Sequence, residues 1–298
     1  MLKSLMERVI EPGAITALFQ PILRILEGEA KIIAVEGLAR GPKGSTLESP
    51  DILFEFARRK NEESIVDRAA IAAILREARK LPNDLALHLN VHASTLGRDG
   101  RFVEFLRKTS ASFGIDPKRL TLEIVEHSNF VEEETFIAAL ADLRTAGCSV
   151  ALDDVGVGMS NFRMMLITRP TMLKIDRYLV SGVAQDSYQQ ATMRAIRLLA
   201  DQVHADLVAE GVDNDEDLKT LRTLGIEYAQ GFLFSRPRSA EDLVANVLQP
   251  AVQMVPMVPK MPMVANAAIA ANAAHAASAP RPAAWPNHGG LSLVAQAG

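Results

Sequence analysis

The 298-residue chain has few of the features that mark secreted or membrane proteins. Its single cysteine, Cys148, lies in an apolar stretch, so no disulfide can form within the chain and a reduced core residue is expected. Nowhere do ~18 apolar residues follow one another without interruption, so a transmembrane helix is not expected. The beginning carries Glu7 and Glu11 in place of the apolar run of a secretory signal. These absences favour a cytoplasmic protein that does not enter a membrane.

The chain also lacks an excess of positive charge. Its formal net charge is −4 at pH 7, whereas proteins that bind nucleic acids generally present a basic surface. General nucleic-acid binding is therefore not expected. If the substrate is nevertheless a phosphate compound, metal ions must supply the missing positive charge.

Short apolar runs alternate with longer amphipathic stretches between residues 15 and 247. The runs predict strands at 19–23, 32–38, 86–91, 120–125, 149–155, 172–175, 207–212 and 228–234. They are continuously apolar, which is typical of parallel strands covered on both faces. Helices are predicted between them at 64–80, 101–113, 132–146, 187–203, 214–224 and 240–247.

Eight strands with intervening helices in ~230 residues match the size of a TIM-like (β/α)8 barrel, so the predicted fold class is α/β. A doubly wound open sheet is the alternative. Gly147 and Gly225 are expected to end helices, and Asp213 or Asn214 to cap one. We assign the barrel to residues 1–248.

Residues 249–298 differ in composition from the rest of the chain. From position 250 onward there is no Asp or Glu, and the basic residues are Lys260 and Arg281. Prolines at positions 256, 259 and 262 interrupt any continuous helix. We predict a disordered Ala/Pro-rich tail.

Polar residues lie at the carboxyl ends of the predicted strands, where a barrel of this kind forms its active site. In strand order they are Glu36, Asn90, Glu123 with Glu126, Asp153 with Asp154, Lys174 with Asp176, Glu210 and Gln230. One Glu in a strand is more often a salt-bridged or half-exposed residue, but seven such strands indicate a shared site. Converging carboxylates need compensating positive charge, which a metal provides.

The donor set indicates the kind of metal and of chemistry. Oxygen donors from Glu, Asp and Asn suit hard cations such as Mg²⁺ or Mn²⁺ better than zinc. Asp153 and Asp154 are adjacent and could bind two metals, an arrangement that serves phosphoryl transfer. Lys174 would then hold the attacking water or neutralise phosphate charge. The residues by themselves predict a metal-dependent phosphoesterase, since a glycosidase-like carboxylate pair would not need Asn90, Lys174 and the Asp pair together.

Eight segments of the chain resemble one known family in order and spacing. They are FQPI (19–22), EGLAR (36–40), LNV (89–91), LEIVE (122–126), DDVGVG (153–158), LKID (173–176), VAEGV (208–212) and QGFLFSRP (230–237). Together they resemble the EAL-domain family of cyclic-di-GMP phosphodiesterases. The resemblance implies a barrel with an antiparallel first strand, and hydrolysis of cyclic di-GMP to linear pGpG with two Mg²⁺ or Mn²⁺ ions. It also implies a homodimer, with the loop at 155–161 and the helix after it near the interface.

The same resemblance implies roles for individual residues. Six fall on metal-ligand positions: Glu36, Asn90, Glu123, Asp153, Asp154 and Glu210. Lys174 and Gln230 fall, with Glu36, on catalytic positions. Substrate-contacting positions are occupied by Gln20, Leu38 and Arg40, and the position of a loop-anchoring glutamate by Glu126.

The chain departs from the family pattern at three places, one of which is Asp213, where Glu is common and the charge is kept on a shorter side chain. Gly37 stands where the family has Ala or Val, and we expect little effect beyond a looser strand. In the loop after the Asp pair, Val155, Val157 and Met159 replace two aromatics and a threonine. A lost hydroxyl and lost rings predict a more mobile loop and weaker metal binding. The alternative is therefore a catalytically weak or inactive domain that binds cyclic di-GMP or a protein. A third hypothesis is a barrel enzyme that acts on another small phosphorylated metabolite.

Overall fold

A computed structural model describes residues 5–25, 30–125, 132–157 and 161–248 of the chain. Its strands are β1 (Thr16–Arg24), β2 (Lys31–Arg40), β3 (Ala86–His92), β4 (Leu120–Val125), β5 (Ser149–Val155), β6 (Met172–Ile175), β7 (Asp206–Ala209) and β8 (Tyr228–Ala229). Its helices are α1 (Leu5–Val9), α2 (Pro50–Lys60), α3 (Glu63–Ala78), α4 (Ala93–Arg98), α5 (Phe102–Ser112), α6 (Glu133–Thr145), α7 (Asn161–Thr168), α8 (Arg177–Val180), α9 (Ser187–Val203), α10 (Asp215–Thr223) and α11 (Ala240–Leu243).

The strands close into one barrel in chain order, from β1 to β8. β1 is antiparallel to both β2 and β8, and every other neighbouring pair is parallel. Pro21 lies next to a register shift between Ile22 and Leu23, a place where a strand tolerates the missing N–H of proline. The predicted (β/α)8 barrel with an antiparallel first strand is confirmed, and a doubly wound open sheet is excluded.

The two faces of the strands bury different residues. One face packs against the helices through large apolar side chains such as Leu89, Leu122 and Leu173, all completely buried. The other face begins with a separate apolar cluster around Ile22 and Ala34. Because residues two apart share a face, that second face continues into polar positions. The sequence pattern predicted strands that are apolar on both faces throughout. The structure shows instead that one face becomes polar toward the end of the strands.

The ends of two strands differ from prediction. β7 ends at Ala209 and β8 at Ala229, whereas strands were predicted to continue to 212 and 234. The backbone turns after Gln230 because Gly231 packs against Val212: a Cβ at Gly231 would lie 2.0 Å from the carbonyl oxygen of Val212. The Leu233 N–H donates to that carbonyl at 3.1 Å. Glu210 and Gln230 therefore lie just beyond their strands.

The residue pattern did not predict α1, α2, α4, α7 and α8, although the family resemblance implied a helix at the position of α7. The longest of them, α2, has Pro50 at its first position and ends at Asn61, which adopts a left-handed conformation with φ of 53°. Proline at the first position is a helix-start signal. The predicted ends of other helices are confirmed, since Gly147 and Gly225 have φ of 92° and 77°, and Asn214 accepts the Asp217 N–H as the cap of α10.

Gly37 corrects the expectation of a looser strand. A Cβ at this position would lie 2.3 Å from Cγ2 of Ile74, so the glycine lets α3 pack directly on β2. Cys148 is buried, as expected. No helix in the described part of the chain combines the length and apolar character needed to cross a membrane. The predictions for Glu126, Met159 and the tail at 249–298 fall outside the described residues.

Candidate active site

Two adjacent aspartates at the end of β5 reach the same site because the backbone is irregular there. The ladder between β5 and β6 shifts register between Leu152 and Val155. Within this shift Asp154 has a φ of 55°, a left-handed conformation that Asp adopts more readily than most residues. Neighbouring side chains of a regular strand face opposite sides. Here one carboxylate oxygen each from Asp153, Asp154 and Glu210 lies within 4.8 Å of the others.

Lys174 of β6 lies at the centre of the acidic residues and is 1% exposed. Its Nζ is 2.6 Å from Glu210 Oε1 and 2.7 Å from Glu123 Oε2. It is also 3.3 Å from Asp153 Oδ1 and 3.5 Å from Glu36 Oε2. Burial disfavours its charge, but the surrounding carboxylates, Asp153 first, outweigh burial and hold the pKa of Lys174 well above its usual value. One ammonium group thus faces several carboxylates.

Burial and mutual repulsion make the ionised form of several of these carboxyl groups less favourable. Burial, and then the neighbouring carboxylates, raise the pKa of Glu123 and Glu210 well above the usual range, although Lys174 opposes the shift. Burial followed by repulsion from Asp153 raises the pKa of Asp154 to about 6. With all of these groups ionised, the metal-free cluster would carry more negative charge than Lys174 compensates, so the carboxyl groups tend to hold protons instead.

Glu36 of β2 is the exception within the cluster. Burial raises its pKa, but attraction to Lys174 and hydrogen bonds from Asn90 and Gln230 outweigh burial and lower the pKa. Asn90 Nδ2 donates to its Oε1 at 2.7 Å, and Gln230 Nε2 donates to its Oε2 at 2.7 Å. The side chain is buried, with 6% exposure. Glu36 is thus held ionised by neighbours from three other strands or strand ends.

Gln230 connects this cluster to the antiparallel strand. Its Nε2 also donates to Gln20 Oε1 at 3.0 Å, and Gln20 Nε2 donates to the Ser235 carbonyl at 3.0 Å. Among the described residues, Gln230 Oε1 is the buried side-chain polar atom that has no hydrogen-bond partner. A buried unpaired acceptor is costly, so this atom fits a site that receives a further donor such as water.

The arrangement fits divalent cations. The donors are carboxylate and amide oxygens, which hard cations prefer, and their negative charge exceeds the charge of Lys174. The closest group consists of Asp153, Asp154 and Glu210. Glu36 and Glu123 both contact the lysine. The structure thus brings all six predicted metal-ligand residues to one end of the barrel.

A cavity of about 570 Å³ opens beside the cluster, within the usual range of ligand pockets, roughly 300–1,000 Å³. Glu36, Asn90 and Asp153 form its inner wall. Leu38 and Arg40, two of the predicted substrate-contacting residues, line it from β2. The outer wall consists of residues from α2 and β3, among them Asp51, Phe54, Arg58 and His92.

Two groups of residues at this site were not found from the sequence. The residues of α2 were missed because that helix was not predicted, although Pro50 signalled its start. His88 was missed because it lies within an apolar run; its Nδ1 is 2.6 Å from Glu123 Oε1. A signal was present, since His88 precedes Asn90 by two residues and therefore shares its face of β3.

A closed barrel with an antiparallel first strand and an acidic cluster at the carboxyl ends of its strands defines a TIM-like barrel protein with a candidate metal site. Residues 3–237 match the family described as EAL domain. The chain belongs to the EAL-domain family.

Known proteins similar to the chain cover most of it. An uncharacterized protein of Mycobacterium bovis is 30% identical over 242 residues, which are 79% of this chain and 38% of that protein. The cyclic di-GMP phosphodiesterase NbdA of Pseudomonas aeruginosa is 29% identical over 74% of this chain and 28% of its own length. The calcium and cyclic di-GMP complex of Klebsiella pneumoniae BlrP1 is 25% identical over 80% of this chain and 58% of its own, with a TM-score of 0.68. The chain spans less than half the length of both curated relatives.

Proposed function

We propose that the protein hydrolyses cyclic di-GMP to linear pGpG and requires two divalent cations, Mg²⁺ or Mn²⁺. The observation that carries this proposal is the cluster of carboxylates around Lys174, which lies beside a cavity of about 570 Å³ lined in part by Glu36 and Asp153. Its support is membership of a family in which relatives are named cyclic di-GMP phosphodiesterases. Hydrolysis would lower the concentration of this second messenger in the cell.

The residues proposed to hold the cations are Glu36, Asn90, Glu123, Asp153, Asp154 and Glu210. Two divalent cations would supply positive charge for the attacking and leaving oxygens of phosphoryl transfer. Asp153 and Asp154 suit a shared position because the β5 irregularity brings their carboxylates together with Glu210. This charge balance also explains how a chain with net charge −4 accepts a phosphate substrate.

Gln230 and Lys174 are the proposed groups that act on the attacking water. Gln230 Oε1, the unpaired acceptor, would accept a hydrogen bond from that water while Nε2 remains on Glu36. Lys174 donates to Glu123 and Glu36 and holds these carboxylates in position, and its ammonium group would contact the attacking water. Attack of water on phosphorus breaks one ester bond of the cyclic dinucleotide, so the product is linear.

The substrate would lie along the cavity and the adjoining end of β1. Arg40 lines the cavity, and its guanidinium can donate two parallel hydrogen bonds to phosphate oxygens. Leu38 offers an apolar contact from the same strand. Gln20 reaches the site from β1 through its hydrogen bond with Gln230.

Chromatography of cyclic di-GMP and pGpG tests this function directly. We expect the purified protein to form pGpG with Mg²⁺ or Mn²⁺ and to stop when a chelator is added. Asp153→Asn should lose hydrolysis. Glu227→Gln should retain it, because Glu227 pairs with Arg24 at the opposite end of the barrel. Tight binding of cyclic di-GMP without turnover would instead favour a non-catalytic receptor, and turnover in Asp153→Asn would contradict the assigned site.

We also propose that the protein is a cytoplasmic homodimer whose interface includes α7. This helix exposes two large apolar side chains one turn apart, Phe162 at 72% and Leu166 at 77%. Such side chains on one helix face favour contact with another apolar surface. Light scattering should give the mass of a dimer for the wild type and of a monomer for Leu166→Glu. A wild-type monomer at all micromolar concentrations would contradict the proposal.

A further inference from the structure

His88 lies inside the barrel, directly beneath the acidic cluster. It is 1% exposed, and on β3 it pairs with Glu36 of β2 on one side and with Thr121 of β4 on the other. Because it precedes Asn90 by two residues, the two side chains share the inner face of the strand. A polar ring at this depth needs a defined partner.

That partner is Glu123. His88 Nδ1 is 2.6 Å from Glu123 Oε1, while Lys174 Nζ donates to Glu123 Oε2 at 2.7 Å. Glu123 is 0% exposed. Each oxygen of the carboxylate therefore has its own partner from a different strand, and the two contacts together restrict rotation of the group.

The imidazole acts as the donor in this contact. A carboxylate that ligates a metal is deprotonated, so Glu123 in its proposed role needs a donor at each oxygen. A neutral imidazole has one N–H, and an ionised carboxylate can only accept. Nδ1 therefore carries the proton that is donated to Glu123.

We propose that His88 is a positioning residue of the metal site, which aims the carboxylate of Glu123 through its Nδ1–H. This inference rests on the proposed function, because Glu123 is a proposed metal ligand. Without the imidazole, the partner that Glu123 keeps among the described residues is Lys174, and the carboxylate is free to rotate toward it. Partners that orient a metal ligand typically change metal affinity by roughly 10–100-fold when removed.

The test compares replacements that keep or lose a donor at the position of Nδ1. In Asn the amide nitrogen is bonded to Cγ, the atom to which Nδ1 is bonded in His. Leu has a volume similar to that of His and carries no hydrogen-bond donor. Mn²⁺ binding to the chelator-treated protein is measured by calorimetry, without substrate. We expect His88→Leu to bind Mn²⁺ at least roughly tenfold more weakly than the wild type, and His88→Asn to stay within a few-fold of it. Equal affinities of all three proteins, or equal losses in both variants, would overturn the inference.

A third variant covers the case in which His88→Leu does not fold. Gln carries its amide one carbon further, near the position of Nε2, so His88→Gln should bind Mn²⁺ more weakly than His88→Asn. Equal affinity of these two variants would overturn the inference. If the wild type binds no Mn²⁺, both the proposed metal site and this inference are overturned. If the wild type binds Mn²⁺ and His88→Leu binds it equally well, only the role of His88 is overturned.

Discussion

The interior of the barrel has two ends of opposite character, although the same strands build both. At one end Ile22, Ala34 and Val208 form a fully buried apolar cluster. Two residues after Ala34 and Val208 the chain carries Glu36 and Glu210, members of the acidic cluster around Lys174. The interior therefore changes from apolar to charged within two residues, which is one repeat of the strand pattern.

The comparison separates stability from function within one barrel. Burying apolar side chains stabilises the fold whatever the pH or the metal content. Burying several carboxylates around one lysine does not, because charges removed from water gain little unless each is fully compensated. The charged end thus depends on its lysine and on added cations, while the apolar end does not.

The largest effect is expected from Lys174→Met, which removes the positive charge of the acidic end. Buried carboxylates without a partner should lower the free energy of unfolding of the metal-free protein by about 3–5 kcal/mol near pH 8, and hydrolysis should be lost. Urea unfolding with chelator and with Mn²⁺ measures this, and Mn²⁺ should restore part of the stability. Met172→Leu on the same strand is the control, and it should lower the free energy of unfolding by less than about 1.5 kcal/mol. A metal-free Lys174→Met protein as stable as the wild type would remove the contrast between the two ends.

Ile22→Ala tests the apolar end. Ile22 is completely buried, so truncation should cost about 2–5 kcal/mol through lost burial and a residual cavity. The loss should be the same with chelator or with Mn²⁺, measured by the same urea unfolding. A loss that changed with the metal would show that the two ends are coupled rather than independent.

Gly37→Ala tests how closely α3 packs on the strand that carries Glu36. The added methyl would meet Ile74 Cγ2 at 2.3 Å, so overpacking should cost about 1–3 kcal/mol. Ile74→Leu removes the branched methyl, and the double variant should be less destabilised than the sum of the single changes. Strictly additive losses would show that α3 moves away without cost.

The smallest effect concerns the pH dependence of the charged end. The pKa of Asp154 is raised to about 6, and those of Glu123 and Glu210 are also raised. In the window between the usual carboxyl pKa and these raised values, the folded protein binds more protons than the unfolded chain. Stability of the metal-free protein should therefore fall as the pH rises from about 4 to 6.

Thermal unfolding in chelator at pH 5 and pH 7 measures this dependence. The decline should be smaller in Asp154→Asn, which has no proton to lose at that position, and Mn²⁺ should reduce it in the wild type. His88 acts in the opposite direction within this window, since its pKa is lowered to about 3, whereas the lowered pKa of Glu36 acts below the usual carboxyl pKa. Stability that rises between pH 5 and 7 without metal would mean that His88, and not the carboxylates with raised pKa, dominates.

Much of the site could be read from local sequence, because a strand carries its polar residues to its own end. Asn90, Glu123 and Lys174 lie where the apolar runs predicted, and a barrel needs no further information to bring strand ends together. The helix α2 was missed, and with it Phe54 and its neighbours on the cavity wall. Its apolar residues have helical spacing, with Leu53 and Ala57 buried, but three basic residues follow one another at its end. Packing against α3 makes it a wall of the site.

By itself the sequence determined the eight strands, the resemblance to a family of barrel proteins and the identity of the acidic residues, because apolar runs and the polar residues at their ends are local properties. Closure of the strands into one barrel was decided by the tertiary structure. Only the tertiary structure decided which oxygen meets which donor. The irregularity that turns Asp154 into line with Asp153 arises from pairing with β6. The contact of His88 with Glu123 joins residues 35 positions apart. Such contacts depend on the register between strands and on the radius of the closed barrel. Neither property is encoded in the sequence of one strand.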